Sequence, residues 1–192
     1  MKNLRTLKQQ NGFTVLEVLI AGVITAIIVA SVFSFYTKMN LQSEAQFDVS
    51  EMQQLCRTSL YDIRKSLLQA GFKISGQAPY EIKGDTLAVY YSETKPVDSI
   101  LYFLREFTDA EYAKVPNRPG NTKLYKLMKK VNSLEPVIYA DFITSIAYTI
   151  VSPDEINVGI TVMAARKDDS YKANSGFRLY TISDKINVRN VQ

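Results

Sequence analysis

The sequence contains no histidine, no tryptophan and a single cysteine among its 192 residues. Without histidine, the chain cannot supply a Ser–His–Asp triad or a zinc site of mixed cysteine and histidine ligands. A single cysteine cannot form an internal disulfide. We therefore expect no catalytic residues, no metal site and no cofactor, and we do not expect an enzyme.

Proline and glycine are both absent from residues 37–69. Because these are the residues that most often interrupt or end a helix, their absence predicts a long continuous one. Apolar residues recur here at steps of three and four, which places them on one helical face: Val49, Met52, Cys56, Leu60, Ile63, Leu67 and Ala70. We predict that this helix ends near Ala70, with Gly71 as the stop, and that Cys56 is a buried core residue rather than a reactive thiol.

A long apolar run precedes this amphipathic stretch. Residues 13–35, about 23 positions, would span about 34 Å as a helix, enough to cross the apolar core of a membrane. The preceding residues 1–12 carry Lys2, Arg5 and Lys8 and no acid, which favours a cytoplasmic position for this flank. No secretory cleavage site follows the run, because the helical pattern continues past Tyr36. We predict a retained membrane helix over 13–36.

Glu17 is the one charged residue inside this apolar run. A carboxylate in a membrane helix is costly, so it indicates a partner, a function or a position near the lipid headgroups. If the chain were cut after Gly12, the new α-amine of Phe13 would lie one helical turn from Glu17. In a bundle of such helices, Glu17 of one chain could neutralise the amine of its neighbour. The alternative is a hydrated carboxylate at the level of the headgroups.

After Gly76 the sequence changes to short alternating segments separated by turn residues. We predict strands within 85–92, 99–106, 123–130, 136–151 and 156–166, and a final pair at 176–183 and 185–190. The one-sided apolar strands and the apolar stripe of the helix can bury each other. The expected fold is α+β, a long N-terminal helix over 13–72 packed against an antiparallel sheet in a globular domain of residues 73–192.

Two segments without periodicity, 107–122 and 167–176, are predicted to be surface loops. Their acidic residues could supply oxygen ligands to calcium, but they match no spaced calcium loop, and we interpret them as solvated turns: Asp109, Glu111, Asp168 and Asp169. Three lysines near 123–130 are predicted on the solvent face of a strand, with DNA binding as the alternative: Lys126, Lys129 and Lys130.

The segment GFTVLEVLIA, residues 12–21, resembles the class III signal of type IV pilins and pseudopilins. Four features of that signal occur together: a short basic leader, a Gly-Phe junction, a glutamate five residues into the mature chain and an uninterrupted apolar run. The resemblance implies that residues 1–12 are a leader peptide, which a prepilin peptidase removes by cleaving between Gly12 and Phe13. It also implies that Phe13 is N-methylated and that Glu17 is the assembly glutamate.

The helix end DIRKSLLQAGF, residues 62–72, is similar to a pattern of PilW-like minor pilins and J-type pseudopilins. This resemblance implies a minor type IV pilin of the bacterial inner membrane that takes part in priming, assembly or tip formation of a pilus. Such pili serve cell adhesion and twitching motility. The implied partners are prepilin peptidase, other minor and major pilins and the inner membrane. A J-type pseudopilin of type II secretion, or a tip-displayed module that binds DNA or a surface ligand, is the alternative.

Overall fold

The structure, a computed structural model, describes residues 14–92, 97–115, 118–120 and 122–190. It divides into two compact units, Met1–Glu44 and Ala45–Gln192. One helix, α1 (Val15–Gln69), begins in the first unit and ends in the second. The predicted leader, residues 1–12, and Phe13 lie outside the described residues.

The first unit consists, where it is described, of the apolar start of α1. Every residue from Thr14 to Glu44 is exposed, including large apolar side chains such as Leu16, Ile24 and Phe33. The most apolar 18-residue window of α1 has a mean hydropathy of 2.6, and none of it is buried within the chain. The helix is therefore long and apolar enough to serve as a membrane anchor.

The end of α1 coincides with a glycine in the left-handed region. Gly71 has a φ of 77°, and its N–H donates to the carbonyl of Tyr90 at 2.9 Å. The side-chain amide of Asn190 donates to the carbonyl of Ala70 at 3.0 Å, so Asn190 covers the end of the helix. A Cβ on Gly71 would lie 2.3 Å from the backbone oxygen of Asn190. Both the backbone angle and the space available therefore require glycine here.

A single antiparallel sheet follows α1 among the described residues of the second unit. Its seven strands lie in the order of the sequence: β1 (Tyr80–Lys83), β2 (Thr86–Tyr91), β3 (Asp98–Glu106), β4 (Tyr125–Val131), β5 (Val137–Ser152), β6 (Glu155–Met163) and β7 (Leu179–Asn187). A short helix, α2 (Asp109–Tyr112), lies in the β3–β4 connection, and one 3-10 turn (Asn174–Gly176) lies in the β6–β7 connection.

The final pair of strands predicted at 176–183 and 185–190 is wrong, because these residues contribute to one continuous strand, β7. Ser183 and Asp184 have the composition of a turn, but the carboxylate of Asp184 pairs with Arg64 of α1 at 3.0 Å. An ion pair with the helix thus explains a polar residue in the middle of this strand.

Strand β5 bends at Phe142, which has a φ of 57°. Ile143 pairs with Tyr125 of β4 and with Val162 of β6, and the register shifts beside both pairs. The part of β5 before Ile143 therefore pairs with β4, and the part after it pairs with β6. A β-bulge of this kind turns the strand and changes the direction of the sheet.

The core lies between the C-terminal part of α1 and one face of the sheet. The buried residues of α1 are Met52, Cys56, Ser59, Leu60, Ile63, Ser66 and Leu67. Their sheet partners in the core include Leu87, Leu127, Ile143, Ile160 and Ile186. The α+β fold, a long helix packed on an antiparallel sheet, is confirmed.

Cys56 is fully buried in this core, as predicted. Burial raises the pKa of its thiol to about 11, because the apolar surroundings disfavour the thiolate. A thiol with this pKa is almost entirely protonated at neutral pH and is not a nucleophile.

Gly71 and Gly76 provide a matched test of the helix end, because both have a φ of 77° but only Gly71 has a close neighbour. Gly76→Ala should cost about 1–2 kcal/mol of unfolding free energy, through backbone strain alone. Gly71→Ala should cost a further 1–3 kcal/mol or so, since its Cβ meets the Asn190 backbone. Denaturant unfolding of both variants, followed by circular dichroism, measures the difference. Equal losses would contradict the packing described for Asn190.

Candidate functional site

Glu17 forms a hydrogen-bonded cap with Thr14 at the start of α1. The backbone N–H of Thr14 donates to Glu17 Oε2 at 2.8 Å, and the Thr14 hydroxyl donates to the same oxygen at 3.0 Å. In return, the backbone N–H of Glu17 donates to Thr14 Oγ1 at 3.3 Å. Because α1 begins at Val15, Thr14 is the N-cap and Glu17 the third helical residue, the arrangement known as a capping box.

This cap changes how a carboxylate is accommodated in an apolar helix. Two donors from the same chain already satisfy Glu17 Oε2, and the carboxylate lies at the positive end of the helix dipole. Glu17 Oε1 accepts no hydrogen bond from the residues that the structure describes. Oε2 therefore caps the start of the helix, and Oε1 is available to accept a hydrogen bond from another group.

Of the predicted site residues, the structure describes Glu17, while Gly12 and Phe13 lie outside the described residues. The sequence-based prediction paired Glu17 with a cation and did not include Thr14. The signal was available, because threonine followed three positions later by glutamate is the sequence pattern of a capping box.

A second polar site lies in the core, where α1 meets β3 and β4. The hydroxyl of Tyr102, a fully buried residue, donates to Asp62 Oδ2 at 2.5 Å and lies 2.8 Å from Ser66 Oγ. Lys129 Nζ donates to the same Asp62 oxygen at 2.7 Å. Burial, and then the hydrogen bond to Asp62, raise the pKa of Tyr102 far above its usual range, so this hydroxyl stays protonated.

This network joins the helix to the sheet through polar groups within an apolar interface. Asp62 and Ser66 are one helical turn apart on α1, while Tyr102 and Lys129 are cross-strand partners on β3 and β4. Such a network fixes one rotation and one height of the helix on the sheet, because a slip would leave buried polar groups unpaired.

The prediction that Lys126 and Lys129 lie on the solvent face is wrong. Their side chains are only 13% and 19% exposed. Lys129 faces α1 and pairs with Asp62, while Lys126 lies beneath α2 and pairs with Glu111 at 2.7 Å. Two of the three lysines proposed for DNA binding are therefore already engaged within the chain.

Three of the four acidic residues predicted as solvated turns are also engaged in ion pairs. Glu111 pairs with Lys126 and Arg105, Asp168 pairs with Arg178, and Asp169 pairs with Lys167. Within the described ranges, no three carboxylate, cysteine or histidine side chains are grouped so that they could hold a metal ion.

No protein-family model matches the chain, and it matches neither a curated protein nor a solved structure.

The helix–sheet network can be tested with Tyr102→Phe. Removing the hydroxyl leaves Ser66 without its partner and Asp62 with one donor fewer, so we expect a loss of about 1–2 kcal/mol of unfolding free energy. Tyr139→Phe is the matched control, because the Tyr139 ring also lies 5.6 Å from Lys129 Nζ but no hydrogen bond of its hydroxyl to a described residue is seen. Denaturant unfolding compares the two, and a control loss equal to that of Tyr102→Phe would contradict the network.

Proposed function

We propose that this protein is a minor type IV pilin that prepilin peptidase cleaves after Gly12 and that takes part in priming, assembly or tip formation of a pilus. The observation that carries the proposal is the course of α1. The helix continues without a break from an exposed apolar segment that contains one carboxylate into the core of an α+β unit. The signal-like segment 12–21 supports the same function.

The exposed apolar surface of α1 suits storage in a membrane followed by packing among other helices. Between Thr14 and Glu44 the chain itself covers no apolar side chain, so lipid or neighbouring helices must do so. Transfer from lipid to a helical bundle exchanges one apolar environment for another. Small differences in polar contacts can therefore decide whether a subunit stays in the membrane or joins a filament.

Glu17 supplies such a polar contact. Cleavage after Gly12 would create a positive amine on Phe13, directly before the Thr14 cap. In the proposed mechanism, Glu17 Oε2 keeps the cap while Oε1 accepts the amine of a neighbouring subunit. This ion pair would favour one axial register between adjacent helices, because the amine and the carboxylate meet only at one axial offset of the two helix starts.

Processing is the first test. In cells with active prepilin peptidase, mass spectrometry should find a chain that starts at Phe13 and carries one added methyl group. Gly12→Leu should block this cleavage, whereas Gly22→Leu, at a glycine with no neighbouring atom within 4 Å of an added Cβ, should be cleaved normally. An intact chain that starts at Met1 in the wild type would overturn the proposal.

Replacing Glu17 is the second test. Glu17→Ala should insert into the membrane and be cleaved, since the cut lies outside the helix, but its incorporation into sheared filaments should be lost. Glu17→Asp keeps the charge with a shorter reach and should be intermediate. Glu44→Ala removes another exposed carboxylate of the same unit and should leave incorporation unchanged.

Thr14→Val separates the cap from assembly, because it removes the threonine hydroxyl and keeps the carboxylate of Glu17. If Glu17 acts by pairing with a neighbour, this variant should retain most of its incorporation while Glu17→Ala loses it. Equal losses in the two variants would show that Glu17 is only a helix cap and would refute the pairing mechanism.

A further inference from the structure

The two predicted surface loops lie side by side. Residues 107–124 connect β3 to β4, and residues 164–178 connect β6 to β7. A second apolar cluster, separate from the main core, contains buried residues from the first loop, from the end of β6 and from the second loop: Phe107, Val115, Leu124, Met163 and Phe177. The two loops therefore share this buried cluster, and we call the exposed, described residues of both loops together the paired-loop surface.

The first loop is held by Glu111 of α2. Glu111 Oε1 pairs with Arg105 and Lys126 of the sheet at 2.8 and 2.7 Å, and its other oxygen accepts the backbone N–H of Thr108. Lys126, then the Thr108 backbone and then Arg105, lower the pKa of Glu111 well below its usual range. The carboxylate therefore stays charged and attached to the sheet at any ordinary pH.

The second loop is closed by Asp168 and Gly176. Asp168 accepts hydrogen bonds from Ser170 and pairs with Arg178, while its backbone N–H donates to the carbonyl of Gly176 at 2.8 Å. Gly176 has a φ of 93°, and an added Cβ there would lie 2.7 Å from Lys167 Cγ. Described residues of both loops are thus held by ion pairs and hydrogen bonds, which lowers the entropic cost of using them to bind a partner.

Ion pairs engage three of the four acidic residues of the two loops, and the loops carry an excess of cations. Glu111 and Asp168 are engaged as above, and Asp169 pairs with Lys167. Among the acidic residues described in the two loops, Asp109 forms no ion pair with a described residue. Four basic residues form no ion pair with a described residue: Lys114, Arg118, Arg166 and Lys172. The paired-loop surface therefore has an unbalanced charge of about +3.

Arg118 is held in a position suited to anion binding. Its guanidinium carbon lies 3.6 Å from the centre of the Tyr112 ring. That ring is fixed in turn, because its hydroxyl accepts the backbone N–H of Leu124 at 3.0 Å and it packs at a tilt of 48° against the ring of Phe107. No N–H group of Arg118 donates to a described residue. The Arg118 guanidinium is thus a fixed plane of donors that are not used by any described residue.

We propose that the paired-loop surface binds the phosphodiester backbone of nucleic acid. A chain of closely spaced monoanions can meet several dispersed cations at once, and the planar guanidinium matches the geometry of a phosphate group. A membrane surface fits less well, because no large apolar side chain is exposed in the described residues of either loop. Binding is independent of base sequence, and the proposal stands whether or not the chain is a pilin.

The test uses the full chain in a nonionic detergent and a fluorescein-labelled 20-base-pair duplex, with binding followed by fluorescence anisotropy between 50 and 200 mM NaCl. With up to four phosphate contacts, the logarithm of affinity should fall against the logarithm of salt concentration with a slope of about −3 to −4, roughly a hundredfold loss across this range. The variant K114Q/R118Q/R166Q/K172Q should lose at least about tenfold of the affinity at 50 mM and most of the salt slope.

The matched control removes four other exposed cations that form no ion pair with a described residue: Arg57, Lys65, Lys73 and Arg189, each changed to Gln. It lowers the net charge equally and should bind within twofold of the wild type. Arg118→Lys, which keeps the charge but not the planar fork, should weaken binding and preserve the slope. Circular dichroism and thermal unfolding establish that each variant is folded.

Several results would overturn the proposal. One is the absence of duplex binding at 50 mM salt. Another is an equal loss of duplex affinity in the four-residue variant and its control, which would show that binding depends only on net charge. A third is binding to vesicles containing one third phosphatidylserine through the same four residues without duplex binding, which would identify a membrane surface instead.

Discussion

The burial of one face of α1 against the sheet is the interaction on which the second unit depends. A seven-stranded antiparallel sheet has two faces, and the helical stripe around Cys56 and Ile63 covers the apolar side chains of one of them. Hydrophobic burial has no preferred direction, so it cannot set the position of the helix by itself. The polar contacts of Asp62 and Arg64 with the sheet supply that position.

The features that local periodicity controls were predictable from the sequence. The apolar run, the helical stripe through Leu60 and Leu67, the stop at Gly71 and the alternation in β6 are each decided by residues close together in the chain. Because helix and strand have different side-chain periods, these patterns were enough for the α+β class.

What could not be predicted depends on residues far apart in sequence. Asp184 lies within β7 rather than in a turn because it pairs with Val158 of β6, and its carboxylate also contacts Arg64, 120 positions earlier. Lys129 faces the core because Asp62 does. The packing of the two loops on each other is likewise decided by side chains such as Phe107 and Phe177, whose contacts no sequence period reveals. The cap at Thr14 and Glu17 is the exception, since its pattern is local and was readable.

The order of the strands has a consequence for how this unit folds. Each strand pairs with the next one along the chain, so the sheet can grow by local hairpins as the chain emerges. The contacts that close the fold are of the opposite kind, because α1 precedes every strand of the sheet, whereas Asn190, which covers the end of α1, follows β7. We therefore expect part of the apolar stripe of α1 to remain uncovered until β7 has been added. If the sheet crosses a membrane while the start of α1 stays inserted, the core would be completed only after β7 had crossed, which delays folding until passage is finished.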